Sequence, residues 1–283
     1  MPQVRKPKSS ALAEIYLARK PIIGVIHLLP LPGSPDYDGT NVTEIYDRAK
    51  IDADSLARGG VDGICVENAS DMPFSRPEDI GYETVACLVA ACNAIREISD
   101  LPLSITCVAN GVMPAIAVAK AVGASWVRAN QWVNAYIANE GFLNGPAPVA
   151  LRYRSNIRAE DVKVFADVHV KFGAHAITAD RSITEQATDA EWFGADALIA
   201  TGLRTGNPTR VEEVTEVKDG TALPVLVGSG LRPDQVPVLF EHADGAIVGQ
   251  SLKEQERWWN PVDASKVQAL MTAVKAFRTT HEG

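Results

Sequence analysis

The sequence predicts a single α/β domain, a (βα)8 barrel preceded by a short N-terminal helix, and three observations carry that expectation. Short apolar, β-branched runs alternate eight times with longer helical patterns. The strand entries themselves alternate. GGVDGICVE, VGASWVRAN, FGADALIAT and HADGAIVGQ enter the even strands from a small-residue helix end. KPIIGVI, LPLSITC, DVKVFAD and LPVLVGS enter the odd strands, mostly through Pro or a polar turn. Finally, eight strand–helix units in a chain of 283 residues match a closed parallel barrel, which takes about 250. The rival is a doubly wound open sheet. It would show fewer repeats and a Gly-rich turn after its first strand, where this chain has His27 followed by LLPLPGSP.

Taken in order, residues 1–20 form an N-terminal extension with an amphipathic helix over 11–19. Residues 21–252 hold the eight strands, expected at 22–27, 63–68, 103–110, 126–130, 162–170, 197–202, 225–228 and 246–249. The intervening helices are expected at 42–58, 82–98, 113–121, 149–155, 183–193, 211–218 and 234–241, and residues 253–283 are a loop and a last helix over 264–279. In TADRSITEQ, Ser182 with Glu185 reads as a capping box that opens the fifth of these eight barrel helices, if the extension is left out of the count. Two long connections, 28–41 and 131–148, follow strands one and four, on the side where barrels build their sites.

Composition narrows the function. The net charge of -8 leaves no broad basic footprint, so nucleic acid is not an expected partner. No apolar run approaches the ~20 residues of a membrane span, so stable membrane insertion is not expected. Cys65, Cys87, Cys92 and Cys107 form no C-x-x-C pair and read as reduced, buried thiols of a cytoplasmic protein. A homo-oligomer is expected, as for most soluble enzymes. The adjacent Trp258 and Trp259 suit packing over the barrel end or a subunit contact.

Two strand ends carry a chemical signal. The seventh ends in Gly228, Ser229 and Gly230, and the eighth in Gly249, Gln250 and Ser251, where a short helix is expected to begin. Glycines let a ligand approach the backbone, and free amides after strands seven and eight form a phosphate cradle in many barrels. Tight turns alone would also explain these glycines. The fifth strand, in ADVHVKFGAH, alternates so that Asp167, His169 and Lys171 share one face and Val168 and Val170 the other. Asp167 and His169 are read as inward, and Lys171 as lying past the mouth.

At this point the chain resembles the BtpA/SgcQ family. The likeness rests on IGVIHLLPLPGSPDYDG, VKVFADVHVKFGAH, TGLRTG, VGSG, GQSLKE and the later NPVD, and runs from Pro21 to about Phe277. It implies a (βα)8 barrel related to the phosphate-binding barrels. One branch of the family is named for photosystem I biogenesis, another is linked with carbohydrate metabolism, and no catalytic residues carry over.

The remaining candidates are polar residues at strand C-termini. His27, Glu67, Arg128, Asp167 and His169 are the catalytic set, with Asn68, Asn110, Asn130 and Thr201 at the same mouth. Each has a plainer explanation. Asn110 can cap a helix, Arg128 can pair with Glu67, and His27 can be a hydrogen-bonded core histidine. Their convergence exceeds what packing requires. No redox-cofactor signature is present, so no cofactor is expected, although Glu67, Asp167 and His169 are a donor set that suits a divalent metal. The expected function is acid–base chemistry on a phosphorylated sugar or nucleoside-type metabolite: isomerisation, epimerisation, lysis or glycosyl-bond cleavage. The alternatives are a non-catalytic biogenesis factor for a photosynthetic membrane complex and a barrel that binds a phosphorylated ligand without turnover.

Overall fold

Apolar residues at alternate positions of eight short runs face inward together, and that alternation closes the sheet. The computed structural model describes residues 9–39, 41–202 and 209–281. Its strands are β1 (Ile22–His27), β2 (Gly63–Glu67), β3 (Leu103–Thr106), β4 (Trp126–Ala129), β5 (Ala135–Ala138), β6 (Gly141–Asn144), β7 (Lys163–Asp167), β8 (Ala197–Ala200), β9 (Val225–Val227) and β10 (Gly245–Val248). All but β5 and β6 form a closed parallel barrel in chain order, with β10 returning to β1. The expected (βα)8 fold is therefore the observed one.

The helices are α1 (Ala11–Ile15), α2 (Val42–Gly59), α3 (Tyr82–Arg96), α4 (Val112–Val122), α5 (Ala147–Asn156), α6 (Ile183–Trp192), α7 (Val211–Asp219), α8 (Val236–Leu239) and α9 (Ala264–Thr280). The Ser182–Glu185 capping box is formed at the start of α6. Among the described residues, no helix is long and apolar enough to cross a membrane.

Two apolar layers result. Outward-facing strand residues such as Ile26, Ile64, Val127 and Val164 pack under the helix ring. Ile23, Val25, Cys65, Trp126, Phe165, Ile199, Leu226 and Ile247 fill the barrel itself. Trp126 and Phe165 stack there with ring centroids 4.2 Å apart, a geometry worth about 1 kcal/mol beyond the area it buries. Residues of the N-terminal extension plug the bottom. Ala11, Leu12 and Tyr16 are buried against the inner layer, and the Trp126 indole donates to the Tyr16 hydroxyl at 2.8 Å.

Several elements depart from expectation. The third strand stops at Thr106, short of Asn110, and the fifth stops at Asp167, short of Val170. The seventh helix of the pattern, expected at 234–241, is a turn of 3-10 helix (Pro233–Gln235) running into the four-residue α8. The connection 131–148, expected without structure, carries the antiparallel hairpin β5–β6. Residues 1–8 of the extension and most of TGLRTG lie outside the described residues.

Candidate functional site

Parallel register sets the barrel mouth. His27 lies opposite Glu67, Glu67 opposite Thr106, and Thr106 opposite Arg128. Residues paired this way point to the same face, so the inward parity of Val25, Cys65 and Trp126 carries His27, Glu67 and Arg128 inward one step nearer the strand ends. A cavity of about 380 Å³ opens above them. Its walls include His27, Glu67, Arg128, Asn130, Lys171, Trp258 and the two loops Gly228–Gly230 and Gly249–Gln250.

Arg128 is locked in place. Its Nε donates to Asp167 Oδ1 at 3.1 Å and its Nη2 to Oδ2 at 3.2 Å, with both side chains buried. Two parallel bonds to a carboxylate are the strong arrangement for arginine. Both oxygens of Asp167 are thereby engaged, and Asp167 itself does not line the cavity. Its part is to aim the guanidinium, and the expected pairing of Arg128 with Glu67 is replaced by this one.

Glu67 is differently placed. Among the described residues nothing hydrogen-bonds to its carboxylate or lies within ion-pair distance. Burial raises its carboxyl above the usual range, while the charges of Arg128 and Lys171 pull the other way. A carboxyl of this kind can hold a proton nearer neutral pH and release it to a ligand.

His27 has a defined tautomer. Its Nδ1 lies 2.7 Å from the carbonyl of Trp258. A carbonyl only accepts, so Nδ1 carries the proton and Nε2 keeps its lone pair. Burial, then the positive charge of Lys253, pushes the imidazole down to about 3, so it stays neutral at physiological pH. Its ring explains one glycine: a Cβ at Gly249 would sit 3.1 Å from Nε2 and Cε1. Gly228 is required in a similar way, since a Cβ there would meet Ile199 at 2.4 Å and Arg128 Nη2 at 3.1 Å. Both glycines therefore make room for site side chains as well as lining the cavity.

The fifth-strand pair separates. Alternation no longer governs the chain once it leaves the sheet after Asp167. His169 stacks on His175 with centroids 3.8 Å apart and is absent from the cavity wall, whereas Val170, Lys171 and Phe172 belong to it. Burial, then the neighbouring His175, pushes His169 down to about 4. The metal set Glu67, Asp167 and His169 is consequently not assembled, and among the described residues no three His, Cys, Asp or Glu side chains are grouped to hold a metal. Lys171, expected past the mouth, lies inside it.

The other expected residues divide. Asn130 lines the cavity, and its Oδ1 accepts from the Asn110 backbone at 3.2 Å. Asn68 and Asn110 are structural: Asn68 accepts from Val108 N and donates to Asp71, and Asn110 accepts from Gln131 N and donates to Asn144 O. Thr201 accepts from Lys171 N at 3.3 Å and donates to His169 O at 3.4 Å, fixing the segment after β7. Ser229 lines the cavity, while Ser251 turns away to donate to Leu231 O. The helix expected at Ser251 is one 3-10 turn, Gln250–Leu252, too short for a helix-end anion site. What remains for an anion is backbone: among the described residues no carbonyl or side chain accepts from the N–H of Ser229, Gly230, Gly249 or Gln250.

Sequence reasoning missed Tyr136 and Glu140 of the hairpin, and Trp258, all on the cavity wall. Trp258 reaches the mouth as one of the expected options for the tryptophan pair, packing over the barrel end, and Trp259 stays half exposed.

The BtpA family model matches residues 18–276. The chain belongs to the BtpA family. An uncharacterized protein of Pyrococcus horikoshii is 35% identical to this BtpA-family chain over 259 residues, covering 92% of it and 97% of the relative. The photosystem I biogenesis protein BtpA of Synechocystis is 34% identical over 267 residues, covering 93% and 91%. Among solved structures, the (S)-3-O-geranylgeranylglyceryl phosphate synthase of Thermoplasma acidophilum, in complex with sn-glycerol-1-phosphate, superposes with a TM-score of 0.55 at 17% identity, over 91% of this chain and 94% of that one. At that identity the likeness is one of fold.

Proposed function

We propose that the barrel mouth binds a small phosphorylated metabolite, of sugar or nucleoside type, and catalyses proton transfer on it. The observation that carries this reading is the pairing, across one cavity, of two poised proton carriers with two backbone loops. Neutral His27, its Nε2 lone pair free, stands beside Glu67, whose carboxyl burial pushes up. One accepts a proton while the other donates, as isomerisation, epimerisation and bond cleavage all demand. Arg128 supplies a fixed positive charge for developing negative charge on oxygen. The unengaged amides of Ser229, Gly230, Gly249 and Gln250 suit the phosphate, and a barrel neighbour that holds a glycerol phosphate supports that class of ligand.

Calorimetric titration with inorganic phosphate and a panel of sugar phosphates tests the binding, followed by turnover assays on whatever binds. Gly230→Val is expected to weaken phosphate affinity at least tenfold. Glu67→Gln is expected to leave affinity within a few-fold and to abolish turnover. Failure of every phosphate compound to bind would overturn the reading. Binding without turnover would favour a sensor.

A second reading has one observation behind it, the name of the Synechocystis relative. A biogenesis factor would present a partner surface and have no use for a poised acid–base pair. The Pyrococcus horikoshii relative, of similar identity, carries no such name.

A further inference from the structure

Two lysines flank this site, Lys253 fully buried and Lys171 partly exposed on the cavity wall, and they are satisfied differently. Lys253 is fully buried and paired with Asp52 at 3.2 Å. Lys171 lies on the cavity wall with its amine enclosed, yet among the described residues no carboxylate lies within 4 Å of it and no acceptor takes its protons. A lysine amine drawn away from water is rarely left unpaired. The backbone around it is held, since Lys171 N donates to Thr201 and Thr201 bonds back to His169 O. An unpaired amine on an anchored segment, facing a cavity, is poised to act on whatever occupies that cavity.

We propose that Lys171 is a nucleophile, its amine condensing with the aldehyde or ketone of a phosphorylated substrate to form an imine. The inference deepens the proposed function, because it rests on the same cavity taking a phosphorylated ligand. The neutral Nζ adds to the carbonyl carbon, a C–N bond forms, and the carbonyl π pair moves to oxygen. His27 Nε2 takes a proton from the nitrogen and passes it to the alkoxide oxygen, giving a neutral carbinolamine. The Glu67 carboxyl then donates to the hydroxyl, the C–O bond breaks and water leaves. The cationic iminium stands beside the carboxylate so produced. Burial first, then the like charge of Arg128, holds the Lys171 ammonium down to about 8, so on the order of a tenth is neutral at pH 7. The iminium would make the adjacent carbon acidic, which is the proton transfer the acid–base pair is built for.

The test is reductive trapping on the full-length protein. Glycolaldehyde phosphate and dihydroxyacetone phosphate, each with cyanoborohydride, are expected to give one adduct per chain, mapped by peptide mass to Lys171. Glycolaldehyde without phosphate should react at least tenfold more slowly. Lys171→Met should lose the adduct, and Lys171→Arg should lose it while retaining dihydroxyacetone phosphate binding by calorimetry. Adducts spread over other lysines, or unchanged in Lys171→Met, would overturn the proposal. Binding of dihydroxyacetone phosphate without any adduct would overturn the imine and leave the phosphate site standing. No binding of either compound or of inorganic phosphate would overturn both.

Discussion

Arg128 and Asp167 are both buried, and each keeps the other tolerable there. A buried charge that loses its partner costs about 3–5 kcal/mol, more than the pair gains over two apolar residues of the same shape. Asp167→Asn and Arg128→Met should therefore each lower unfolding free energy by about 3 kcal/mol in urea titrations, and the double variant should lose less than the two together. Additive losses would show that the pair is not a unit. His27 makes a separate prediction through pH. Its folded pKa, about 3, lies below the ordinary 6.5 of an unfolded imidazole. Between those values the unfolded chain holds the extra proton, so the contribution is complete above pH 6.5 and is lost as pH falls toward 3. His27→Asn lacks that term. The stability gap between wild type and variant should shrink by about 2 kcal/mol from pH 7 to pH 4.5. A gap constant across that range would mean that His27 is exposed enough to titrate normally.

At the scale of elements, the hairpin β5–β6 is the part of the site most separable from the barrel. Its ends are tied together below it, with Gly145 N donating to Asn134 O and Ala147 N to Trp132 O. Its own apolar side chains, Tyr136 and Leu143, form a small cluster with Ala109 and Val170, apart from both barrel layers. Replacing residues 135–144 by a short Gly-Ser turn should then leave the melting temperature within about 5 °C, because neither barrel layer is opened. Affinity for phosphorylated ligands should fall, since the wall holding Tyr136 and Glu140 goes with it. The same hairpin marks a limit of sequence reading. AYIANEGFLN is an apolar run, a two-residue turn and a second apolar run, a legible hairpin pattern, but a long loop was the expectation because the barrel repeat claimed the register on either side. Barrel strands were legible because alternation follows from a closed wall. The polarity of His27, Glu67 and Arg128 followed from the same alternation. His169 and Lys171 were misplaced because strand periodicity was extended three residues past Asp167, where no ladder enforces it. Whether Asp167 acts or merely aims Arg128 depends on a contact across two strands, which one sequence does not contain.

Across the whole molecule, the buried pair Lys253–Asp52 joins segments 201 residues apart and couples stability to the chemistry of the mouth. Asp52, on α2, takes Lys253 Nζ at 3.2 Å and Val262 N at 2.8 Å, so one carboxylate clamps both ends of the loop that carries Trp258. The carbonyl of Trp258 in turn fixes the His27 tautomer. Lys253 also adds positive charge near His27, second only to burial in keeping that imidazole neutral. Lys253→Met removes the charge and leaves Asp52 buried with one donor fewer. It should cost about 3–5 kcal/mol in urea unfolding. The imidazole of His27, followed by NMR, should titrate at higher pH than in the wild type, because a repelling charge is gone, which outweighs the opposite effect of a loosened Trp258 acceptor. Asp52→Asn combined with Lys253→Met removes both charges, so it should recover much of the stability while His27 stays shifted. If instead the His27 resonance titrates as in the wild type in both variants, the clamp serves the fold alone and the tautomer is set within the mouth.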